Sequence, residues 1–406
     1  MDFMGMWWLM AGMTDARAAA IFATLPEEAL RCIWLALPPE DRARCACVCR
    51  AWRDALADPA LWTCLRPSMH SSTLFWLGAG ANLITKLRAA AAKAAGRLEV
   101  MDFSGVLMWE PLEPWLLELA TANAGTLREL GVANFGGVHG PDEILTGLRT
   151  AAPHFEILHL RHGSELGDVA AAMRMLRNEG AYHPLRLGSL NLRLPPAQAD
   201  VDVQALASSI AAHASLRKLQ VTGLTVPHLD ALDALVDAVL TRKICDFALA
   251  ECTVPSESAS SLARLVEGGV VEKLELFAIS TLEAAAPFFD SAAVAVLAPA
   301  LLSSTRLKEL TLSGNRIWAD STAAAALFAA LASHPSLETL TISNDQPQTA
   351  AAAVEVAAAA LLAASSLSEL YLKDNELDDL CLGPLFDALP TNTRLRAADQ
   401  HPPPAA

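Results

Sequence analysis

Residues 307–315, "LKELTLSGN", decide how this chain folds. Leu310 and Leu312 are apolar while Glu309, Thr311 and Ser313 around them are polar, the alternation of a short strand with one buried face. The same L-x-x-L-x-L pattern begins at Leu98, Leu127, Phe155, Leu187, Leu216, Ile244, Val271, Leu307, Leu337 and Leu367. The intervals are 29, 28, 32, 29, 28, 27, 36, 30 and 30 residues, and ten copies at so even a period mark a repeat array. Between the copies lie helical stretches such as "LTGLRTAA", "VQALASSIAAHA" and "ALFAALASHP". One strand and one helix per copy predict an α/β solenoid of parallel strands in which each copy touches only its neighbours.

The 406 residues are 53% hydrophobic and 18% charged, so the chain can bury a large core. Alanine runs such as "RAAAAKAAGR" favour helix. A net charge of −15 lacks the basic footprint that a phosphate backbone demands, so nucleic acid is not an expected partner. The start, "MDFMGMWWLMAGM", is apolar, but Asp2 stands where a secretory leader carries Lys or Arg, and no clear cleavage site follows. Residues 1–20 therefore read as an apolar segment, disordered or docked. The longest candidate membrane span, "AAAPFFDSAAVAVLAPALL", is broken by Pro287, Asp290 and Pro299, and no membrane partner is expected.

A second stretch, "CACVCRAWRDALADPALW" at residues 45–62, holds three of the eight cysteines, with Cys32 and Cys64 close by. Zinc sites favour C-x2-C pairs with further thiols or histidines downstream, and neither those nor a redox C-x-x-C is present. Cys45 and Cys49 share one helix face as small apolar fillers. No metal or other cofactor is expected. Cysteine usage without disulfide spacing suits a reducing cytosol or nucleus. Upstream, Pro26, Glu27 and Glu28 suit a first helical turn, and Leu30, Ile33 and Leu37 line one helix face. "PPEDRA" ends that helix and opens another, a third carries Val48 and Trp52, and Pro59 opens a last turn to Trp62. Helices so short bury little surface alone and call for a partner or a following domain.

This stretch resembles the F-box on Leu25-Pro26, Glu28, Leu30, Ile33, Leu37, Asp41, Val48-Cys49-Arg50-x-Trp52 and Asp58-Pro59-x-Leu61-Trp62. It departs from the family at Arg42-Ala43, where a leucine usually follows the Asp, which predicts a slightly weaker second helix. The resemblance implies a helical module that docks on a Skp-family adaptor and through it on a cullin, with Leu25, Pro26, Ile33, Leu37, Val48 and Trp52 as the adaptor-binding set. The repeat units resemble leucine-rich repeats of the long, ribonuclease-inhibitor-like kind. The family's Asn or Cys after the strand appears as Cys252, Asn315 and Asn375, while Val106, Gly163 and Pro195 mark degenerate copies. The likeness implies strands on a concave face and helices on a convex one. The expected organisation is an apolar segment (1–20), an F-box (21–66), a helical linker (67–97), about ten repeats (98–395) and a disordered tail (396–406).

No P-loop, H-E-x-x-H or G-x-S-x-G motif is present, and the glycine-rich "GGVHGPDE" (136–143) lies in the turn after a repeat strand. The chain is not expected to be an enzyme. In each copy the third, fifth and seventh residues should point into the groove. Three neighbouring copies place His159, Arg161, Asn191, Arg193, Lys218 and Gln220 there, which is either ordinary solvated charge or a site for an acidic or phosphorylated client segment. The resemblances together imply the substrate-recognition subunit of an SCF-type cullin-RING ubiquitin ligase. The alternatives are a non-catalytic repeat scaffold or inhibitor, and a GTPase-activating role that gives no reason for the N-terminal module.

Overall fold

The computed structural model describes residues 26–37, 42, 45–47, 50–65, 85, 88–89, 91–103, 113–132, 141–160, 169–177, 179, 186–193, 202–282, 288–343, 366–372 and 397–399. The chain divides into two compact units, Met1–Ser164 with Ala181–Leu185, and Glu165–Gly180 with Arg186–Ala406. Among the described residues no helix is long and apolar enough to cross a membrane.

The first unit contains α1 (Glu27–Ala36), α2 (Arg50–Ala55), a 3-10 turn (Pro59–Trp62), β1 (Cys64–Leu65), β2 (Val100–Phe103), α3 (Glu113–Ala122), β3 (Glu129–Val132), α4 (Pro141–Ala151) and β4 (Ile157–Leu160). Its four strands pair in chain order, all parallel. The second unit contains α5 (Val169–Arg177), β5 (Arg186–Arg193), α6 (Val203–Ala212), β6 (Lys218–Thr222), α7 (Leu229–Arg242), β7 (Asp246–Ala250), β8 (Thr253–Val254), α8 (Ala259–Glu267), β9 (Lys273–Phe277) and β10 (Ser280–Thr281). It continues with α9 (Ser291–Ser303), β11 (Glu309–Ser313), α10 (Ser321–Ala332), β12 (Thr339–Thr341), β13 (Glu369–Tyr371) and β14 (Ala397–Asp399). Here the parallel order is β5-β6-β7-β9-β11-β12-β13-β14, while β8 and β10 form a second small ladder. This mixed α/β arrangement, with a helix between most successive strands, is consistent with a solenoid.

One backbone device carries the register from copy to copy. The carbonyl of a copy's second residue accepts the N–H groups of the second and third residues of the next. Arg217 accepts from Cys245 and Asp246, Cys245 from Glu272 and Lys273, Glu272 from Lys308 and Glu309, and Lys308 from Glu338 and Thr339. The first and fourth residues of each copy face inward: Leu216, Leu219, Ile244, Phe247, Leu337 and Leu340 are all 0% exposed. Asp202, Asp290 and Asp320 cap α6, α9 and α10 through backbone N–H groups of the first turn.

The turn after the strand is equally regular. Gly223, Glu251, Ala278 and Gly314, the eighth residues of four consecutive copies, have φ of 75°, 52°, 50° and 70°. Only glycine adopts this left-handed region freely, so Glu251 and Ala278 hold it at a cost. In two of these copies the ninth residue ties the turn to the copy before it. Asn315 Nδ2 donates to Leu276 O at 2.7 Å and Asn315 Oδ1 accepts from Ile279 N at 2.8 Å. Cys252 occupies the same place and its thiol reaches Val221 O at 3.5 Å. Burial raises the Cys252 pKa to about 11.

The sheet of the first unit begins inside the helical module, because Cys64–Leu65 pairs with Val100–Met101. At the other end, the expected tail needs correction, since it contributes β14, with Ala397, Ala398 and Asp399 opposite Glu369, Leu370 and Tyr371. Parallel pairing uses backbone groups alone, so a copy that begins at Leu395 and has Ala398 as its fourth residue still adds a strand. Residues 1–20 and most of the expected linker lie outside the described residues; within it, residues 91–93 are helical.

Candidate functional site

The helical module is organised by tryptophans. Trp34 on α1 meets Trp52 on α2 edge-to-face, with ring centroids 5.1 Å apart at 69°. Trp62 is 1% exposed and its Nε1 donates to Leu56 O at 2.8 Å. Asp58 accepts from Ala60 N and fixes the turn that carries Trp62. Of the residues expected to meet an adaptor, Pro26 is exposed and Ile33 half-buried. Leu37 and Trp52 are instead 7% and 8% exposed, a correction to their expected openness. They face the module's own core because three short helices have few other apolar groups to build one. Leu25 and Val48 lie outside the described residues. Leu35, 48% exposed, adds apolar surface on the solvent side of α1.

Arg42, at the place where the family usually carries a leucine, ties α1 to the 3-10 turn. It is 4% exposed; its Nε donates to Leu37 O at 2.9 Å, its Nη1 donates to Leu61 O, and its guanidinium lies 5.3 Å from the Trp62 ring centroid. A leucine could fill that space but could not satisfy the carbonyls at the end of α1 and in the 3-10 turn. Lys93 Nζ lies 4.3 Å from the same ring, and burial lowers its pKa against the opposing charge of Cys47. The turn continues into the sheet, where Thr63 O accepts from Glu99 N and Val100 N at 2.8 and 3.1 Å.

The groove columns are more balanced in charge than expected. His159, in the first unit, pairs with Glu129 at 3.1 Å. In the second unit Lys218 pairs with Asp246 at 2.5 Å, and Lys273 with Glu309 at 2.9 Å. Lys218, Asp246, Lys273 and Glu309 are the third residues of four consecutive copies and stand in register, so positive and negative groups alternate along the sheet. Asn191 and Gln220 are register partners, 6% and 7% exposed. Arg161 lies outside the described residues. Arg193 is placed opposite Thr222 by the backbone register of β5 and β6. The expected basic patch thus meets carboxylates at His159 and Lys218. Reading the third residue of every copy, rather than three copies alone, would have found Glu129 and Asp246.

Two histidines near repeat starts tie backbone together. His213 Nε2 accepts from Leu187 N at 3.0 Å, so its Nδ1 donates to Leu176 O at 3.0 Å. His334 Nδ1 accepts from Ser336 N and Leu337 N. Both rings are held neutral by burial, with the His334 pKa lowered to about 4. Among the described residues no three His, Cys, Asp or Glu side chains gather to hold a metal.

A search of curated proteins finds no match to the chain. The F-box-like family model matches residues 22–68, a span that runs from just before α1 through β1 and carries the tryptophan core.

Proposed function

We propose that this chain is the substrate-recognition subunit of an SCF-type cullin-RING ubiquitin ligase, acting in the cytosol or nucleus. Residues 22–68 dock on a Skp-family adaptor and through it on a cullin, and the leucine-rich repeats hold the protein to be ubiquitinated. The observation that carries this reading is the F-box-like match over a module whose last strand, β1, pairs with the first repeat strand, β2. That pairing makes the adaptor end and the start of the repeats one folded body, as a subunit that presents a client to a ligase requires. Within the module, Leu25, Pro26, Ile33 and Val48 supply the contact face, while Leu37 and Trp52 support it from behind. The chain itself contributes binding and no chemistry.

Affinity purification of the full chain from cells with the proteasome inhibited tests this. The ligase reading predicts recovery of adaptor, cullin and a client whose level rises with inhibition. Recovery of a client without adaptor or cullin would favour the scaffold reading instead.

A further inference from the structure

On the edge of the second unit where strands begin and helices end, the copies that start at Leu216 and Ile244 gather cations without carboxylates. Arg217 is the second residue of one copy, while Arg242 ends α7 and Lys243 leads into the next copy. Arg217 Nη1 donates to Arg242 O at 3.3 Å, which sets its guanidinium over the end of α7. Burial first, and then the charge of Arg242, lower the His213 pKa, so Arg242 stands near the start of the same copy as Arg217. Arg217 and Lys243 are exposed and Arg242 is half-buried. Among the described residues none of them meets a carboxylate. Cations at a helix end ordinarily serve its free carbonyls. Here Lys243 N and Ile244 N already take Leu240 O and Val239 O, and Arg217 takes Arg242 O. The Arg242 guanidinium and the Lys243 ammonium are therefore left over, and Arg242 Nε is buried with no hydrogen-bond partner among the described residues. Lys243 also holds φ 56° at a position where helices prefer glycine, so a cation is kept there against the backbone's preference. Two copies further on, the same edge is neutralised from within. Arg306, which precedes Leu307 as Lys243 precedes Ile244, pairs with Glu272 at 2.7 Å, and Lys308 pairs with Glu272 at 3.3 Å. Glu272 is the second residue of its copy, the place that Arg217 fills two copies earlier. Flanking acids do not make up the difference. Asp246 is held by Lys218, Glu179 lies between Arg177 and Arg186 in sequence, and Glu267 forms no ion pair among the described residues.

We infer that this edge binds an acidic segment of a partner protein, a short run of Asp or Glu side chains seated on Arg217, Arg242 and Lys243. The partner's carboxylates take the role that Glu272 plays two copies further on. Guanidinium forks receive one carboxylate through paired N–H donors, and the Lys243 ammonium draws a second as a point charge. Complementarity of this kind selects the partner and speeds its encounter, in a chain whose net charge of −15 otherwise repels acidic proteins. The patch spans two adjacent strands, about 5 Å apart, which suits a short acidic run. It does not suit the long phosphate backbone of a nucleic acid, which needs an extended basic footprint. The inference rests on the repeats being the client-holding surface, and it names the chemistry of what they hold at this edge.

The test uses the full chain at low salt with a blocked pentapeptide of glutamates alternating with alanines, and the same peptide with glutamines, which keeps the shape and loses the charge. The readouts are the Arg242 Nε–H resonance and a binding isotherm. The glutamate peptide should shift that resonance and bind roughly tenfold tighter than the glutamine peptide. Lys243→Gly separates binding from folding: it relieves the left-handed position, so the melting temperature should rise while glutamate-peptide binding weakens roughly tenfold. Arg242→Gln should weaken binding to a similar degree. Arg306→Gln, which removes a cation that already has Glu272, should bind the peptide as the parent does. Equal binding of the two peptides, full binding by both Lys243→Gly and Arg242→Gln, an equal loss in Arg306→Gln, or no binding at all would each overturn the assignment. So would tighter binding of a single-stranded oligonucleotide of the same charge. Adaptor binding is measured in parallel, so failure of this edge is distinguishable from failure of the ligase reading.

Discussion

The helical module and the repeats of the second unit are stabilised in opposite ways. In the module a few unlike groups, Trp34, Trp52, Trp62, Leu56 and Arg42, are gathered, each in a place of its own. In the second unit the same few roles recur: a buried apolar residue at the first and fourth place, a left-handed eighth residue, and, at Cys252 and Asn315, a ninth residue bonded to the copy before. A defect in the module should therefore be felt throughout it, whereas a defect in one repeat should be felt mainly by its neighbours.

The sharpest way to break the comparison is Trp62→Ala. It empties the module's centre, strands Leu56 O and removes the ring beside Arg42 and Lys93, at a cost of about 3–5 kcal/mol. Hydrogen exchange should show loss of protection across α1 and α2, with β9 and β11 unaffected. Asn315→Ala comes next, because it leaves Ile279 N and Leu276 O unpaired, at about 2–4 kcal/mol. Urea unfolding should report the loss, and exchange should quicken at Ile279 while the module keeps its protection.

A pH titration gives a smaller effect of known sign. The His334 pKa lies near 4 in the folded chain, below the ordinary 6.5, so between those values the unfolded chain takes up a proton that the folded chain refuses. Stability should be full above about pH 6.5 and fall by on the order of 2 kcal/mol toward pH 4. His334→Asn, which keeps an acceptor for Leu337 N, should flatten that fall. The smallest effect sharpens the repeat logic: Ala278→Gly should stabilise by up to about 1 kcal/mol in chemical denaturation, and Gly314→Ala should destabilise by a similar amount.

The strands and their register were legible because each copy spells them with leucines at fixed spacing, and burial of Leu98 through Leu367 follows that spelling. β14 was not, since Ala398 replaces the leucine and backbone pairing leaves no mark on side-chain identity. In the module, Pro26 is exposed and Ile33 half-buried while Leu37 and Trp52 are buried, a division that the sequence does not carry because it cannot say which apolar face is turned inward. The bonds of Arg42 were not legible, because a charged residue in a leucine position is judged by propensity, while its partners are the carbonyls of Leu37 and, nineteen residues on, Leu61. The groove was read in charge excess, and the compensating Asp246 and Glu129 became visible only once neighbouring strands were aligned.

The central claim is that residues 22–68 hold a Skp-family adaptor, and light scattering of the purified full chain mixed with such an adaptor tests it most directly. The account predicts a one-to-one complex that is lost in the Leu25→Ala, Pro26→Ala double variant with an unchanged circular-dichroism spectrum, and kept in Asn315→Ala. A full chain that forms no complex, or a double variant that binds as tightly as the parent, would contradict it.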